Sequence, residues 1–235
     1  MPATSAVLLD YGRTLVTFEY PKAELAVVIE RFGPAIAAAT GRPAPPVEET
    51  LDAVLLPLEA LVDNPSEDEV PYMDVFEAAW HRAGIELPRD LLWRILDAEQ
   101  LVWDRAARVD PDGLSALAWL GERGIKRAVC SNAPFPAAMM HRQVETNGLA
   151  GLVDAVVFSS EVGRRKPARE MYLAALDAID VAPGDALFVG DRVREDYEGP
   201  RAVGMRAVIC TRHAVESPGP GVPTIESLSR LPELV

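Results

Sequence analysis

Residues 6–16 read Ala6-Val7-Leu8-Leu9-Asp10-Tyr11-Gly12-Arg13-Thr14-Leu15-Val16. An apolar run of strand length stops at an aspartate, and a turn carrying a glycine and a hydroxyl follows at once. Buried parallel strands are continuous apolar runs, and open α/β sheets hold their chemistry just beyond the carboxyl ends of such strands. Asp10 therefore stands where a reactive group belongs. Aspartate also forms turns and caps helices, so the remaining chain has to decide between the two uses.

Beyond Val16 the β-like pattern gives way to helical spacing. Helices are predicted over Ala23–Thr40, about Val47–Val62, roughly Tyr72–Ala83 and Pro88–Trp103, with breaks at Gly41–Pro46, Pro65 and Gly84. Four such segments with short Pro- or Gly-containing joints form a small bundle. From Pro111 short apolar runs alternate with helices. The runs are 126–130, Val153–Phe158, Ala186–Val189 and Arg206–Cys210; the helices are 113–123, Phe135–Asn147, Ala168–Ala178 and about Arg194–Val203. Thr224–Leu231 is expected to be a short closing helix after the irregular, Pro-rich stretch 216–223. This alternation predicts βαβ units and a parallel sheet. The expected fold is α/β: a Rossmann-like parallel sheet core of residues 1–16 and 107–235, with an α-helical bundle cap of residues 17–106 inserted after the first strand. An insertion there rises beside the carboxyl edge of the sheet.

The 235-residue chain has a formal net charge of −13, which argues against nucleic-acid binding along a broad basic face. The acidity is local. Residues 19–105 hold 18 acidic and 7 basic side chains, while the rest hold 18 and 16. Cys130 and Cys210 lie in apolar segments and the three histidines are scattered, so buried thiols are expected and a zinc cluster is not. No basic leader precedes the first apolar run and no run is of membrane length, which points to a cytoplasmic protein with no membrane partner. Monomer and homodimer both stay open. Trp80, Trp93, Trp103 and Trp119 fall on helix faces and are best explained by core packing, although one or two could line a cap's inner surface and favour an aromatic leaving group. Arg164 and Arg165 are expected on a solvated turn.

Four strand ends carry polar residues: Asp10; Ser131-Asn132; Ser159-Ser160, running on to Lys166; and Asp191 with Asp196. In a parallel sheet these ends converge in one crevice. Asp10 and Asp191 would repel each other unless a hard divalent cation such as Mg²⁺ stood between them. Ser131 offers a hydroxyl and Lys166 a compact positive charge. The set suits transfer of a phosphoryl group to a carboxylate nucleophile. No dinucleotide fingerprint or Walker sequence competes with this reading, and Ser131 lacks the Gly-rich elbow of a serine hydrolase.

In order and spacing these segments resemble the haloacid dehalogenase-like hydrolase superfamily. Its first motif is matched by Asp10 and Thr14 after a hydrophobic strand, its second by Ser131 with Asn132, its third by Lys166-Pro167. The fourth is matched by Gly190-Asp191 with Asp196 and Gly199. The resemblance implies that Asp10 is the nucleophile, forming an aspartyl-phosphate on a small phosphorylated substrate. It implies Mg²⁺ bound by Asp10, the Gly12 carbonyl and Asp191, with Asp196 supporting the metal shell or orienting Lys166. Ser131 would hold a phosphoryl oxygen, with Asn132, Arg13 and Thr14 at the substrate. The cap would exclude water and select the leaving group.

The first motif departs from the family. Its phosphatases carry a second Asp two residues after the nucleophile, as acid toward the leaving alkoxide and then base toward water; here that position is Gly12, and the usual Gly after it is Arg13. General acid or base catalysis contributes roughly 10²- to 10⁴-fold. Three readings follow: a Mg²⁺-dependent phosphohydrolase whose acid comes from elsewhere, hydrolysis at carbon as in the haloacid dehalogenases, or a weak or inactive member that binds a ligand or protein. The Asp191–Asp196 pair favours the first.

Overall fold

The computed structural model describes residues 4–58 and 65–235. Strand β1 (Ala6–Leu9) is fully buried. Its side chains alternate, as the pleat requires: Val7 and Leu9 face one hydrophobic layer, Ala6 and Leu8 the other. It is followed by β2 (Val16–Thr17), β3 (Arg108–Val109), β4 (Lys126–Ser131), β5 (Ala155–Phe158), β6 (Ala186–Gly190), β7 (Arg206–Cys210) and β8 (Thr224–Ile225). The main sheet runs β5-β4-β1-β6-β7-β8, parallel throughout. The chain builds outward from β1 to β4 and β5, then crosses to β6 on the other side. The carboxyl end of β1 is therefore a topological switch point, where open sheets leave a crevice.

Helices α1 (Lys22–Thr40), α2 (Val47–Thr50), α3 (Tyr72–Arg82) and α4 (Arg89–Ala106) lie between β2 and β3. They bury their apolar stripes in a separate cluster containing Leu25, Ile29, Ile36, Phe76, Trp80, Leu92 and Ile95. Helix α1 stops where Gly41 takes φ 67°, a conformation glycine adopts without a Cβ clash. Helix α2 continues as a π-helical turn over Leu51–Leu55, and the last part of the expected 47–62 helix, residues 59–62, lies outside the described residues. The sheet is flanked by α5 (Pro111–Glu122), α6 (Ala137–Thr146), α7 (Ser159–Val162), α8 (Arg169–Ile179) and α9 (Gly199–Ala202). Asp110 starts α5 by accepting hydrogen bonds from the backbone N–H groups of Asp112 and Gly113, with Pro111 at the first helical position.

Three expectations need correction. Thr224–Leu231 is not a helix: Thr224–Ile225 adds strand β8 to the sheet, and a 3₁₀ segment over Leu228–Glu233 follows. Propensity misses it because two edge residues of β8 carry the pairing after a Pro-rich loop. The Arg194–Val203 helix begins as a π-helical segment, Val193–Glu198, before α9. The β pattern does not end at Val16 either, because β2 pairs antiparallel with β3 and brings both ends of the helical region together at the sheet.

Arg165 needs a further correction. Rather than lying on a solvated turn it is 1% exposed. Its guanidinium donates to both Glu69 oxygens at 2.9 and 3.1 Å, and the Ser159 hydroxyl donates to Glu69 as well. Around this pair the Arg165 N–H donates to the Glu67 carbonyl, the Glu69 N–H donates to the Gly163 carbonyl, and Asp68 pairs with Arg164. The loop before α3 is thus stitched to the segment that carries Lys166. Between α4 and α6, buried Asp104 accepts from Arg142, Gln143 and Gln100. Removing one partner of a buried ion pair leaves the other uncompensated, so Arg165→Met is expected to cost about 3–5 kcal/mol. Adding Glu69→Leu should recover most of that loss in urea unfolding.

Candidate active site

The crevice above β1 is a cavity of about 590 Å³, and Asp10, Gly12, Arg13, Ser131, Asn132, Lys166, Asp191 and Asp196 all line it. Asp10, Gly12, Arg13, Ser131, Asn132 and Asp191 arrive on a strand end or the turn just after it, whereas Lys166 follows helix α7 and Asp196 lies within the π-helical segment Val193–Glu198. Lys166 Nζ donates to Asp10 Oδ1 at 2.6 Å and to Asp196 Oδ1 at 2.7 Å. Burial alone would depress the Lys166 ammonium, yet the two carboxylates hold it well above the usual lysine range. The other Asp196 oxygen accepts from the backbone N–H groups of Asp191 and Arg192. Asp196 is thus hydrogen-bonded through both oxygens and fixes the lysine.

Asp10, Asp191 and Asp196 are buried, with carboxylate oxygens within 4.8 Å of one another. Burial, with Asp10 and Asp196 adding repulsion, pushes Asp191 up to about 7. One ammonium does not neutralise three carboxylates. A buried, all-oxygen donor set with surplus negative charge fits a hard divalent cation.

The remaining expected residues differ in what they do. Asn132 clamps the Lys166 backbone, its Oδ1 accepting from the Lys166 N–H at 2.7 Å and its Nδ2 donating to the Lys166 carbonyl at 3.1 Å. Thr14 is buried and does not line the cavity; its hydroxyl has no hydrogen-bond partner among the described residues. Arg13 lines the cavity from a backbone at φ 58°, so an arginine occupies the left-handed turn position where the family pattern has glycine. A Cβ at Gly12 would meet nothing within 4 Å. Cys130 is a free, buried thiol that burial pushes up to about 12.

Gly190 explains itself by contact. A Cβ there would collide with the Asp196 carboxylate. Gly190→Ala should displace Asp196 and, through it, Lys166. Misplacing a catalytic group by about 1 Å costs roughly 10²-fold, so kcat/KM should fall by about that much while the far-ultraviolet circular dichroism stays native.

Apart from Trp103, one of the tryptophans that could line a cap's inner surface, several lining residues escaped the sequence reading. Phe18, Tyr20, Trp103 and Phe135 form an aromatic wall, with Trp103 against Phe18 at 6.2 Å and Tyr20 at 5.9 Å between ring centroids. His213 also faces the cavity, its Nε2 3.0 Å from Asp110 Oδ2, while Arg212 pairs with the same carboxylate. No local periodicity marks these residues, because the fold alone assembles them.

A family model for haloacid dehalogenase-like hydrolases matches residues 5–204. The chain belongs to the haloacid dehalogenase-like hydrolase family. A ribulose-1,5-bisphosphate 5-phosphatase from Halopiger xanaduensis is 33% identical over 99 residues, covering 42% of this chain and 41% of that protein. A phosphoserine phosphatase from Thermus thermophilus is 37% identical over 98 residues, covering 42% and 39%. The haloacid dehalogenase-like hydrolase domain-containing protein 3 of Bos taurus is 30% identical over 142 residues, covering 59% and 54%. The matches thus span about half or less of those relatives' lengths. Among solved structures, a 2-haloacid dehalogenase from Pseudomonas syringae aligns with TM-score 0.69 at 22% identity, covering 98% of this chain and 97% of that one. A phosphatase of the family from Thermococcus onnurineus aligns at 0.63 and 23%, with the same coverage. These place the α/β fold of this hydrolase. Among its described residues no helix is long and apolar enough to cross a membrane.

Proposed function

We propose that this hydrolase is a Mg²⁺-dependent phosphohydrolase of small phosphorylated metabolites. The observation that carries the reading is the buried cluster of Asp10, Asp191 and Asp196 inside the crevice, two of whose carboxylates, Asp10 and Asp196, are joined by Lys166. Phosphatases among the relatives support it. A neutral carbon electrophile gives no reason to gather three carboxylates, so the cluster favours phosphoryl transfer over hydrolysis at carbon.

In this reading Asp10 attacks phosphorus. Lys166 holds its carboxylate in place and offers positive charge to the phosphoryl oxygens, and the Ser131 hydroxyl donates to one of them. Asp196 and Asn132 are positioning residues for Lys166. Asp10, Asp191 and the Gly12 carbonyl would hold the Mg²⁺, which when bound supplies charge stabilisation to the transferring group. Residues 17–106 serve as a cap that closes the cavity on the leaving-group side.

The test is phosphate release from acetyl phosphate and p-nitrophenyl phosphate with Mg²⁺ or with EDTA, together with mass analysis of acid-quenched protein. Metal-dependent turnover with phosphate on Asp10 is the expected result. A folded protein that turns over neither substrate would remove the reading and leave ligand binding through Arg13 in its place.

A further inference from the structure

Two features of the cavity, independent of each other, bear on the leaving group. One is chemical: position 12, which in the resembling phosphatases carries the acid, is a glycine. The remaining carboxylates on the cavity wall are committed elsewhere: Asp10 and Asp196 share Lys166, Asp191 belongs to the carboxylate cluster, and Glu195 is paired with Arg194. His213 gives one ring nitrogen to Asp110, which leaves its other nitrogen as the alternative proton donor that turnover of an alkyl ester would reveal. With no carboxylic acid at position 12, a leaving group that departs as a stable anion is favoured. Such departure is easy for a phenolate, whose conjugate acid has a pKa near 10, and hard for an alkoxide, whose conjugate acid is far weaker and resembles water.

The other feature is the aromatic wall. Phe18 and Tyr20 are each 38% exposed, yet both line the same cavity as Asp10, with Trp103 bridging them. Tyr11, next to the nucleophile in sequence, lies 6.4 Å from the Phe18 ring and continues this surface toward Asp10. Solvent-accessible aromatic rings on the wall of a concave site are what a planar apolar ligand group covers.

We propose that the substrate is an aryl phosphate: a phosphate monoester of a phenolic hydroxyl whose ring packs against Phe18, Tyr20 and Trp103. This rests on the phosphohydrolase reading and specifies its leaving group. An Asp10 oxygen forms a bond to phosphorus, the phosphorus–aryl oxygen bond breaks, and the electron pair leaves as a phenolate that takes its proton from water. A water oxygen then bonds to the same phosphorus. The phosphorus–Asp10 bond breaks to return the carboxylate, and the water protons pass to the phosphate product and to solvent. The sum is aryl phosphate plus water giving phenol plus inorganic phosphate.

Four substrates separate ring binding from leaving-group acidity. p-Nitrophenyl and phenyl phosphate carry a ring on a phenolic oxygen, benzyl phosphate carries the same ring on an alkoxide, and acetyl phosphate has an acidic leaving group and no ring. With Mg²⁺ present, kcat/KM should fall at least roughly 10²-fold from phenyl to benzyl phosphate, the scale of an absent general acid. Trp103→Leu, and separately the more exposed Phe18→Leu, should lower kcat/KM for phenyl phosphate about tenfold more than for acetyl phosphate. Benzyl phosphate turned over as fast as phenyl phosphate would overturn the proposal by showing an acid at work, and His213→Gln would identify it if that activity then fell. Equal losses on phenyl and acetyl phosphate in both variants would overturn ring binding. Turnover of acetyl phosphate without any of the three ring substrates would overturn the proposal and leave the phosphohydrolase reading standing. No turnover of any of the four would overturn both.

Discussion

Asp10→Asn is expected to cut metal-dependent phosphate release by roughly 10⁴-fold or more, as removal of a covalent nucleophile does. The substitution is nearly isosteric, and the asparagine Oδ1 can still accept the hydrogen bond that Lys166 Nζ makes at 2.6 Å. It also removes one of the three clustered carboxylates, so the repulsion that burial concentrates at Asp10, Asp191 and Asp196 is reduced. Without a divalent cation the variant should melt no lower than the parent. Added Mg²⁺ should raise the melting temperature of the parent, because the folded state alone binds it, and raise that of the variant less. Differential scanning fluorimetry with and without EDTA reads both effects. A variant that loses activity and also melts far below the parent in EDTA would mean that Asp10 serves the fold, and the nucleophile assignment would lose its support.

The strand ends were legible because each buried strand writes itself as an apolar run that stops at a polar residue: Leu9 then Asp10, Cys130 then Ser131, Gly190 then Asp191. Their convergence follows from parallel topology alone. Arg165 was not legible, because its partner Glu69 is 96 residues away on the other side of a helical segment, and a charge run ordinarily faces water. The ribbon of β2 with β3 has two residues per strand, too few for a period to register. The aromatic wall drew on Trp103 within α4, which helical spacing assigns first to packing, and on Phe18 and Tyr20, which lie between β2 and α1 where no period marks them. Asn132 lines the cavity, but nothing in its sequence neighbourhood announces that its amide is spent on the Lys166 backbone.

Gly12→Asp is expected to raise kcat/KM for benzyl phosphate by roughly 10²- to 10⁴-fold, while phenyl and p-nitrophenyl phosphate change little. The backbone permits it: Gly12 does not occupy the left-handed region, and an added Cβ meets nothing within 4 Å. Gly12 lines the cavity, so the new carboxyl can face the leaving oxygen, protonate it as it departs and then draw a proton from the attacking water. The gain is confined to poor leaving groups because a phenolate needs no proton to leave. A fourth carboxylate beside Asp10, Asp191 and Asp196 also adds repulsion, so the variant should melt below the parent in EDTA and depend more strongly on Mg²⁺ for stability. Arg13 decides how far this goes. It lines the same cavity from the adjoining position, and if its guanidinium pairs with the new carboxylate it would hold that group ionised and unable to donate a proton. Adding Arg13→Gly restores the residue the family pattern has at a φ of 58° and frees the carboxylate, so the double variant should exceed Gly12→Asp on benzyl phosphate. A folded double variant with no gain on benzyl phosphate would show that the missing acid is not what limits this site.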